Sequence, residues 1–330
     1  MKEKRTSLND IAKALNVSKA TVSFVLNDKG DQFNISKEKQ RLVREKAKEM
    51  SYVPNFFAKS LRQGKTKTIG LVLADISNPF YAELSKTIQQ GLYNEGYNTF
   101  IVNTNDDKDL EKTLMRELIQ RNVDGMIISP SNGIDELIPI LTETHIPIVF
   151  TDRPGDENAD FVGVDNVSEA EKLIHSFTQK PKRLAILAQQ PTDVITIQER
   201  IAGAKNACEK DGIQHEYVEL SLDLEEATSQ ITNLLENGTD SFLPLNIICA
   251  FKTIAALNKL NVAIPTDVRM ISFDDSDMFN YLTPPISALR QPILELGTTS
   301  VQRITERLKE TQEPGKHVLL PCEFIERGSH

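Results

Sequence analysis

Cysteine is scarce in this 330-residue chain: Cys208, Cys249 and Cys322 stand far apart and are odd in number. Such a set builds neither a zinc site nor a disulfide framework, and it agrees with a reducing, cytoplasmic setting. The five histidines, at 145, 175, 215, 317 and 330, show no metal-ligand spacing, and the G-x-S-x-G elbow, the Walker loop and the G-x-G-x-x-G fingerprint are all missing. The chain is therefore expected to be no enzyme and to carry no cofactor and no metal. No apolar stretch is long enough to span a membrane. The opening M-K-E-K-R runs into polar, helix-forming sequence without an apolar signal region, so an exported carrier, the chief alternative to an intracellular role, lacks its address.

What is present is a division of charge. Residues 1 to 67 hold 16 Lys+Arg against 7 Asp+Glu, net +9, whereas the remainder holds 22 against 40, net −18. A basic head on an acidic body suits a protein that meets the phosphate backbone of nucleic acid at one end and keeps the other away from it.

The head contains the most informative stretch, S-L-N-D-I-A-K-A-L-N-V-S-K-A-T-V-S-F-V-L-N from Ser7 to Asn27. Ser7 with Asp10 forms a capping pattern, and Leu8, Ile11, Ala12 and Leu15 recur at helical spacing. Asn16 tolerates the left-handed backbone of a tight turn, Val17 plugs the angle, and Ser18 caps a second helix. In that helix Val22, Val25 and Leu26 turn inward, leaving Lys19, Ala20, Thr21, Ser23 and Phe24 on a face that a DNA major groove can accept. A third helix within Ile35 to Tyr52, capped by Ser36, offers Leu42, Val43, Ala47 and Met50 to the same small core. Pro54 stops the preceding helix, Asn55 caps a short one and Gly64 ends it. Residues 56 to 62 are too few to be stable as an isolated helix.

From Thr68 the composition changes to short β-rich runs alternating with amphipathic segments, the pattern of parallel sheets covered by helices on both faces. Ile69 to Ala74, Thr99 to Val102, Met126 to Ser129 and Ile148 to Thr151 are expected in one sheet. Leu184 to Ala188, Tyr217 to Leu220, Phe242 to Leu243 and Met270 to Phe273 are expected in a second. The 263 residues after the head are better divided into two lobes than kept as one.

These segments resemble the LacI/GalR family of bacterial transcription regulators over nearly the whole chain. The resemblance is carried by D-I-A-K-A-L-N-V-S-K-A-T-V-S-F-V-L-N, Y-V-P-N, A-K-S-L, T-I-G-L-V-L, D-I-S-N-P-F, V-D-G-M-I-I, V-D-N, E-R-I-A-G, I-P-T-D-V and S-F-D-D, in order. It implies an α/β protein: an N-terminal all-α helix-turn-helix headpiece followed by two doubly wound parallel sheets, two-lobed like periplasmic binding proteins and joined by three crossing strands. The expected divisions are a headpiece over 1–54, a hinge helix and linker over 55–67, and an effector-binding and dimerisation domain over 68–330. Within the last, the N-lobe takes about 68–165 and 292–325, and the C-lobe about 166–291.

The resemblance also implies roles. Lys19, Ala20 and Phe24 match base-reading positions and Thr21 and Ser23 match phosphate contacts. Leu61 matches the hinge leucine that wedges into the minor groove, and Ser18, Asn55 and Ala58 complete the DNA-facing set. Relatives commonly carry Arg or His where Phe24 stands, so an apolar contact with a thymine methyl takes the place of a hydrogen bond there. The loop from Asp28 to Asn34 is a few residues longer than usual.

Effector-binding candidates lie in loops after strands, where open parallel sheets place ligands. Phe80 and Tyr81 offer rings to the apolar face of a sugar, with core filling as their alternative role. Asp274, just past M-I-S-F, can accept hydrogen bonds from two hydroxyls, while Asp275 suits a helix cap. Arg200 matches an effector-binding arginine, with a surface salt bridge as the alternative; Arg153 follows I-V-F-T-D, the dipeptide Asp152-Arg153 resembles the sugar-contacting pair of ribose-binding relatives, and Asn246 begins a helix. Asn246-Ile247 stands where Asn-Asp is common, Pro244 interrupts an expected central strand, and Gln189 to Arg200 lacks a Gly-rich loop. That last feature is similar to the fructose-repressor branch and draws attention to Arg153, Arg200 and Lys252 as partners for a sugar phosphate, beside a free sugar or a nucleoside.

The resemblance thus predicts a cytoplasmic repressor of carbohydrate-related genes, bound as a homodimer to a pseudo-palindromic double-stranded operator and controlled by a sugar or sugar phosphate. The non-regulatory alternative is a sugar-binding transport or sensor protein without operator function. Two hinge segments side by side on DNA would each gain a packing surface, so hinge folding and operator binding become one equilibrium. Leu61→Ala is therefore expected to weaken operator binding in a gel shift while leaving effector binding intact; unchanged operator affinity would remove the wedge role.

Overall fold

The computed structural model describes residues 6–53, 64–131, 136, 138–189, 193–309 and 314–330. The expected hinge contacts Asn55, Ala58 and Leu61, and Pro54 before them, lie outside the described residues. The chain forms two compact units, 1–64 and 65–330.

In the first unit, α1 (Leu8–Ala14), α2 (Lys19–Leu26) and α3 (Lys37–Glu49) enclose a core of Ile11, Ala12, Val22, Val25, Val43 and Ala47. The caps are those the sequence predicts. Ser7 and Asp10 form a complete capping box, Ser18 accepts from the Thr21 amide and Ser36 from the Lys39 amide, and Asn16 turns at φ 52°. One core assignment changes: Leu42 is exposed and Gln40 is buried, with its Nε2 donating to the Ile35 carbonyl and to Asp31, each at 2.8 Å. The Gln40 amide finds partners in the loop before α3, and so fills the place next to it.

The second unit holds two six-stranded sheets. The first contains β1 (Thr68–Leu73), β2 (Asn98–Asn103), β3 (Gly125–Ile128), β4 (Ile148–Thr151), β5 (Asp160–Gly163) and β11 (His317–Leu319), in the spatial order β11-β5-β4-β3-β1-β2. The second contains β6 (Arg183–Ala188), β7 (Gln214–Glu219), β8 (Ser241–Pro244), β9 (Arg269–Phe273), β10 (Ser287–Arg290) and β12 (Glu323–Ile325), in the order β12-β10-β9-β8-β6-β7. Pairing is parallel throughout except between β10 and β12. The helices α4 (Pro79–Asn94), α5 (Lys108–Gln120), α6 (Ile138–Thr144) and α11 (Ile293–Arg307) belong to the first sheet's lobe. The second lobe carries α7 (Asn166–His175), α8 (Ile195–Asp211), α9 (Leu224–Glu236) and α10 (Ile247–Lys259). No described helix is long and apolar enough to cross a membrane.

Strands buried on both faces read as continuous apolar runs, yet alternate residues serve different layers. In β1, Ile69, Leu71 and Leu73 pack with Leu84, Ile88 and Leu296, while Val72 packs with Met115, Leu118 and Phe150 on the other face. In β6, Leu184, Ile186 and Ala188 face one layer and Ala185 and Leu187 the other. Gly203 lets α8 approach α7, because a Cβ there would meet the Val167 carbonyl oxygen at 2.2 Å.

Two expectations are corrected. Pro244 does not interrupt its strand: it is the last residue of β8, opposite Leu187, and the ladder continues when the Leu245 amide donates to the Leu187 carbonyl. A proline is tolerated there because the next residue supplies the missing donor. The N-lobe segment expected at 292–325 takes in β12, but β12 pairs with β10 in the C-lobe sheet, and Arg327 to His330 follow it into that lobe. The chain therefore passes between lobes three times: after β5, between β10 and α11, and between β11 and β12.

The first lobe is tied by one fully buried carboxylate. Asp160, at the start of β5, accepts from Arg303 at 2.9 Å, from Arg307 Nε at 2.6 Å and from the Lys316 amide at 2.7 Å, joining β5 to α11 and to the approach to β11. Burial alone would raise its pKa, but Arg307, the Lys316 amide and Arg303 hold it below the ordinary value of 3.8. Its stabilisation is thus present above the unfolded-state pKa and is lost as pH falls through the lower folded value. Asp160→Ala is expected to cost about 3–5 kcal/mol at neutral pH, the range for leaving buried partners uncompensated. A urea midpoint at pH 7 moving by no more than experimental error would contradict this, as would an undiminished penalty at pH 2.

Candidate functional site

On α2 the structure exposes Ser18, Lys19 and Ala20 and half-buries Thr21, Ser23 and Phe24. The Ser18 hydroxyl holds the helix start together, accepting from the Thr21 amide at 3.0 Å and lying 2.8 Å from the Thr21 hydroxyl. Lys19, Ala20, Ser23 and Phe24 share one face of a helix whose other face is anchored by Val22 and Val25. Phe24 does not stand alone on that face, because the ring of Phe33 from the following loop stacks on it, 3.6 Å between centroids.

In the body, a cleft of about 450 Å³ lies between the lobes at the carboxyl ends of the strands. It gathers every expected effector residue: Phe80, Tyr81, Arg153, Arg200, Asn246 and Asp274 all line it. The rings of Phe80 and Tyr81 are also buried in the lobe core, so lining and packing are combined. Tyr81 is engaged as a donor, its hydroxyl 2.7 Å from Asp152 and 3.0 Å from Ser129, and burial raises its pKa, keeping that proton in place. Asn246 caps α10, its side chain accepting from the Cys249 amide at 2.8 Å. Lys252 does not line the cleft.

Two aspartates face each other in role. Asp152 follows β4 and Asp274 follows β9, the strands at equivalent places in the two sheets, and both adopt left-handed backbone, φ 64° and 72°. Non-glycine residues held in that region are strained, and such strain concentrates at functional sites. Burial raises the pKa of Asp152 against the pull of Arg153 and the Tyr81 hydroxyl. Asp274 accepts from Gln291 Nε2 at 2.6 Å and from Arg200 at 3.5 Å. Asp275, expected as a helix cap, instead pairs with Arg290 and Arg327 at 2.7 and 2.8 Å, and Ser276 caps the 3-10 turn that follows. Two guanidiniums within reach draw the carboxylate away from the helix start.

Both cleft arginines are occupied. Arg153 is bound to Asp106 and to the Pro130 carbonyl. Arg200 is no surface salt bridge: it is buried, bonds Asn166 at 2.9 Å and the Leu245 carbonyl at 2.8 Å, and lies over the Phe273 ring. Among the described residues, three buried polar atoms in the cleft lack a hydrogen-bond partner: Arg153 Nε, Gln189 Oε1 and Gln291 Oε1. Sequence reasoning passed over Asp106, Gln189 and Gln291. Gln189 directly follows β6 and Asp106 lies in the loop after β2, so the strand-end rule finds them; Gln291 sits on an interlobe crossing with no local signal. A larger hollow, about 750 Å³, shares Phe80, Asp274 and Gln291 with the cleft but is otherwise lined from the crossings and the start of α11.

Comparison with known proteins bears on both units. Residues 7–55 match the sequence profile described as bacterial regulatory proteins, lacI family, and residues 175–330 match that of the periplasmic binding protein-like domain. The HTH-type transcriptional regulator RegA of Clostridium saccharobutylicum is 31% identical over 98% of this chain and 99% of its own. The lac repressor dimer, solved on operator with the anti-inducer ONPF, shares the fold, with a TM-score of 0.86 over 99% of both chains at 21% identity. A periplasmic binding protein/LacI transcriptional regulator from Alkaliphilus metalliredigens, complexed with D-xylulofuranose, is 27% identical with a TM-score of 0.70, covering 80% of this chain and 98% of that one. With a helix-turn-helix head, a two-lobed body and a relative of this identity matched end to end, the chain belongs to the LacI family of bacterial regulatory proteins.

Proposed function

We propose that this protein is a sequence-specific, operator-binding transcriptional repressor of carbohydrate-related genes, acting as a homodimer, whose effector is an uncharged polyhydroxylated molecule held in the interlobe cleft. The observation that carries the effector class is the set of unpaired cleft atoms beside occupied arginines. Four carboxylates, Asp75, Asp106, Asp152 and Asp274, line the cleft against two guanidiniums, Arg153 and Arg200. Gln291 turns its Nε2 to donate to Asp274 at 2.6 Å, which leaves its Oε1 as an acceptor. Separate hydroxyls of a sugar can donate to Gln291 Oε1 and to Gln189 Oε1, and a hydroxyl oxygen can accept from Arg153 Nε. A sugar phosphate keeps hydroxyls for the glutamine oxygens, but its phosphate would meet the acidic lining with both arginines already engaged. An unsatisfied buried acceptor costs about 1–3 kcal/mol. The regulator from Alkaliphilus metalliredigens, bound to D-xylulofuranose, supports the same class. A carrier role without DNA binding is disfavoured by the complete head and its match to the lacI profile.

Neutral pentoses or hexoses are expected to raise the melting temperature of the full chain, and sugar phosphates are not. A ligand at a hundred times its Kd adds about 2.7 kcal/mol to stability, a shift of several degrees for a protein of this size. A sugar phosphate stabilising more than its parent sugar would reverse the assignment. In a gel shift on the DNA upstream of its own gene, the protein should respond to the stabilising sugar, whereas Asp274→Ala should bind that DNA and ignore the sugar; a variant that still responds takes Asp274 out of the site.

A further inference from the structure

The loop joining α2 to α3 holds an aromatic side chain that the headpiece core does not use. Phe33 is 51% exposed, and its ring lies against Phe24 with the planes 8° apart. Neither ring belongs to the core cluster around Ile11, Val22 and Val43. The stack therefore widens the exposed face of α2 instead of filling the interior.

The loop that presents Phe33 is built. Its turns close through the Lys29 amide on the Phe24 carbonyl at 2.9 Å, the Phe33 amide on the Lys29 carbonyl at 3.2 Å and the Ile35 amide on the Gly30 carbonyl at 2.9 Å. Asp31 accepts from Lys37 at 2.7 Å and from Gln40 at 2.8 Å, and Arg44 reaches Asp28 at 2.9 Å. Gly30 sits so close to α3 that a Cβ would come within 2.4 Å of the Gln40 side chain. A large apolar ring held in water by an ordered loop, beside the face that reads DNA, is a pre-organised contact surface.

We propose that Phe24 and Phe33 form one aromatic reading element, in which Phe33 is a specificity-determining DNA contact contributed from outside the recognition helix. Neither ring can hydrogen-bond a base edge, and the apolar group displayed in the major groove is the thymine 5-methyl. The element selects thymine where the C-terminal end of α2 and its loop meet the groove. Lys29, exposed in the same loop, supplies charge for the adjacent phosphates.

The inference rests on the regulator reading, and the test separates the two. The full-length protein is used to enrich duplexes from a randomised library; no enriched sequence would sink the regulator reading itself. On the enriched duplex, Phe33→Ala is expected to lower affinity by about 5- to 30-fold, the scale of one base discrimination. Affinity for an unenriched duplex and the salt dependence should stay as they were, since no phosphate contact is lost. Uracil in place of thymine removes the methyl alone and should weaken the parent protein by a similar factor while barely affecting Phe33→Ala. Phe33→Leu, which keeps an apolar side chain, should retain part of the thymine preference. The uracil-to-thymine ratio is read within each variant, so it does not depend on how much of each is folded. An equal ratio in parent and Phe33→Ala, or a loss that is the same on every duplex, would reduce Phe33 to a loop anchor and overturn the proposal.

Discussion

The contacts of Asp152 and Asp274 set the terms on which the cleft works. Each carboxylate ends a central strand with its backbone in the left-handed region, and each is held by a partner from a helix of its own lobe: Tyr81 of α4 for Asp152, Arg200 of α8 for Asp274. The strain of that backbone persists because the surrounding packing over-determines it. The reward is a pair of fixed acceptors at the strand ends, one on each wall. The two cleft arginines are drawn into holding these carboxylates and Asp106 in place, and on that engagement rests the proposal that the cleft reads hydroxyls rather than charge.

Gln291 links that chemistry to motion. It lies on a crossing between lobes, is buried, bonds Asp274 through one end of its amide and has the other end unpaired. A ligand hydroxyl taking the free end would bond to a cleft wall and to an interlobe crossing at once. Only a contact that differs between two arrangements of the lobes can shift an equilibrium between them, and a residue on a crossing is placed to make one. A difference of 1–3 kcal/mol, one or two buried hydrogen bonds, corresponds to about 5- to 150-fold in coupled affinity.

Much of this was legible in the sequence because the governing interactions are local. Caps at Ser7, Ser18 and Ser36 and the left-handed turn at Asn16 depend on a few neighbouring residues, and all four formed as expected. The eight strands read from apolar runs are present; β1, β3, β4, β6, β8 and β9 are almost wholly buried and carry a strong compositional signal, whereas β2 and β7 are more exposed edge strands. What escaped was set by partners distant in sequence. β12 is a three-residue strand whose sheet is decided by pairing with β10, and Asp275 was expected to cap a helix because Arg290 and Arg327 come near it only in the folded lobe. Gln40 rather than Leu42 is buried because its amide finds partners at Asp31 and the Ile35 carbonyl in the loop before α3, which periodicity within the helix does not report.

The same loop shows how a small headpiece changes what it reads without disturbing how it folds. Three short helices around six buried side chains have little stability to spare, so substitutions within Ile11, Val22 or Val43 would threaten the fold. Residues on the exposed face of α2 and in the loop after it are free of that constraint. The loop residues are held by polar contacts of their own, through Asp28, Asp31 and Gln40. On the proposed reading, the stack of Phe33 on Phe24 extends base recognition from the helix to the loop while the packing that supports both stays the same.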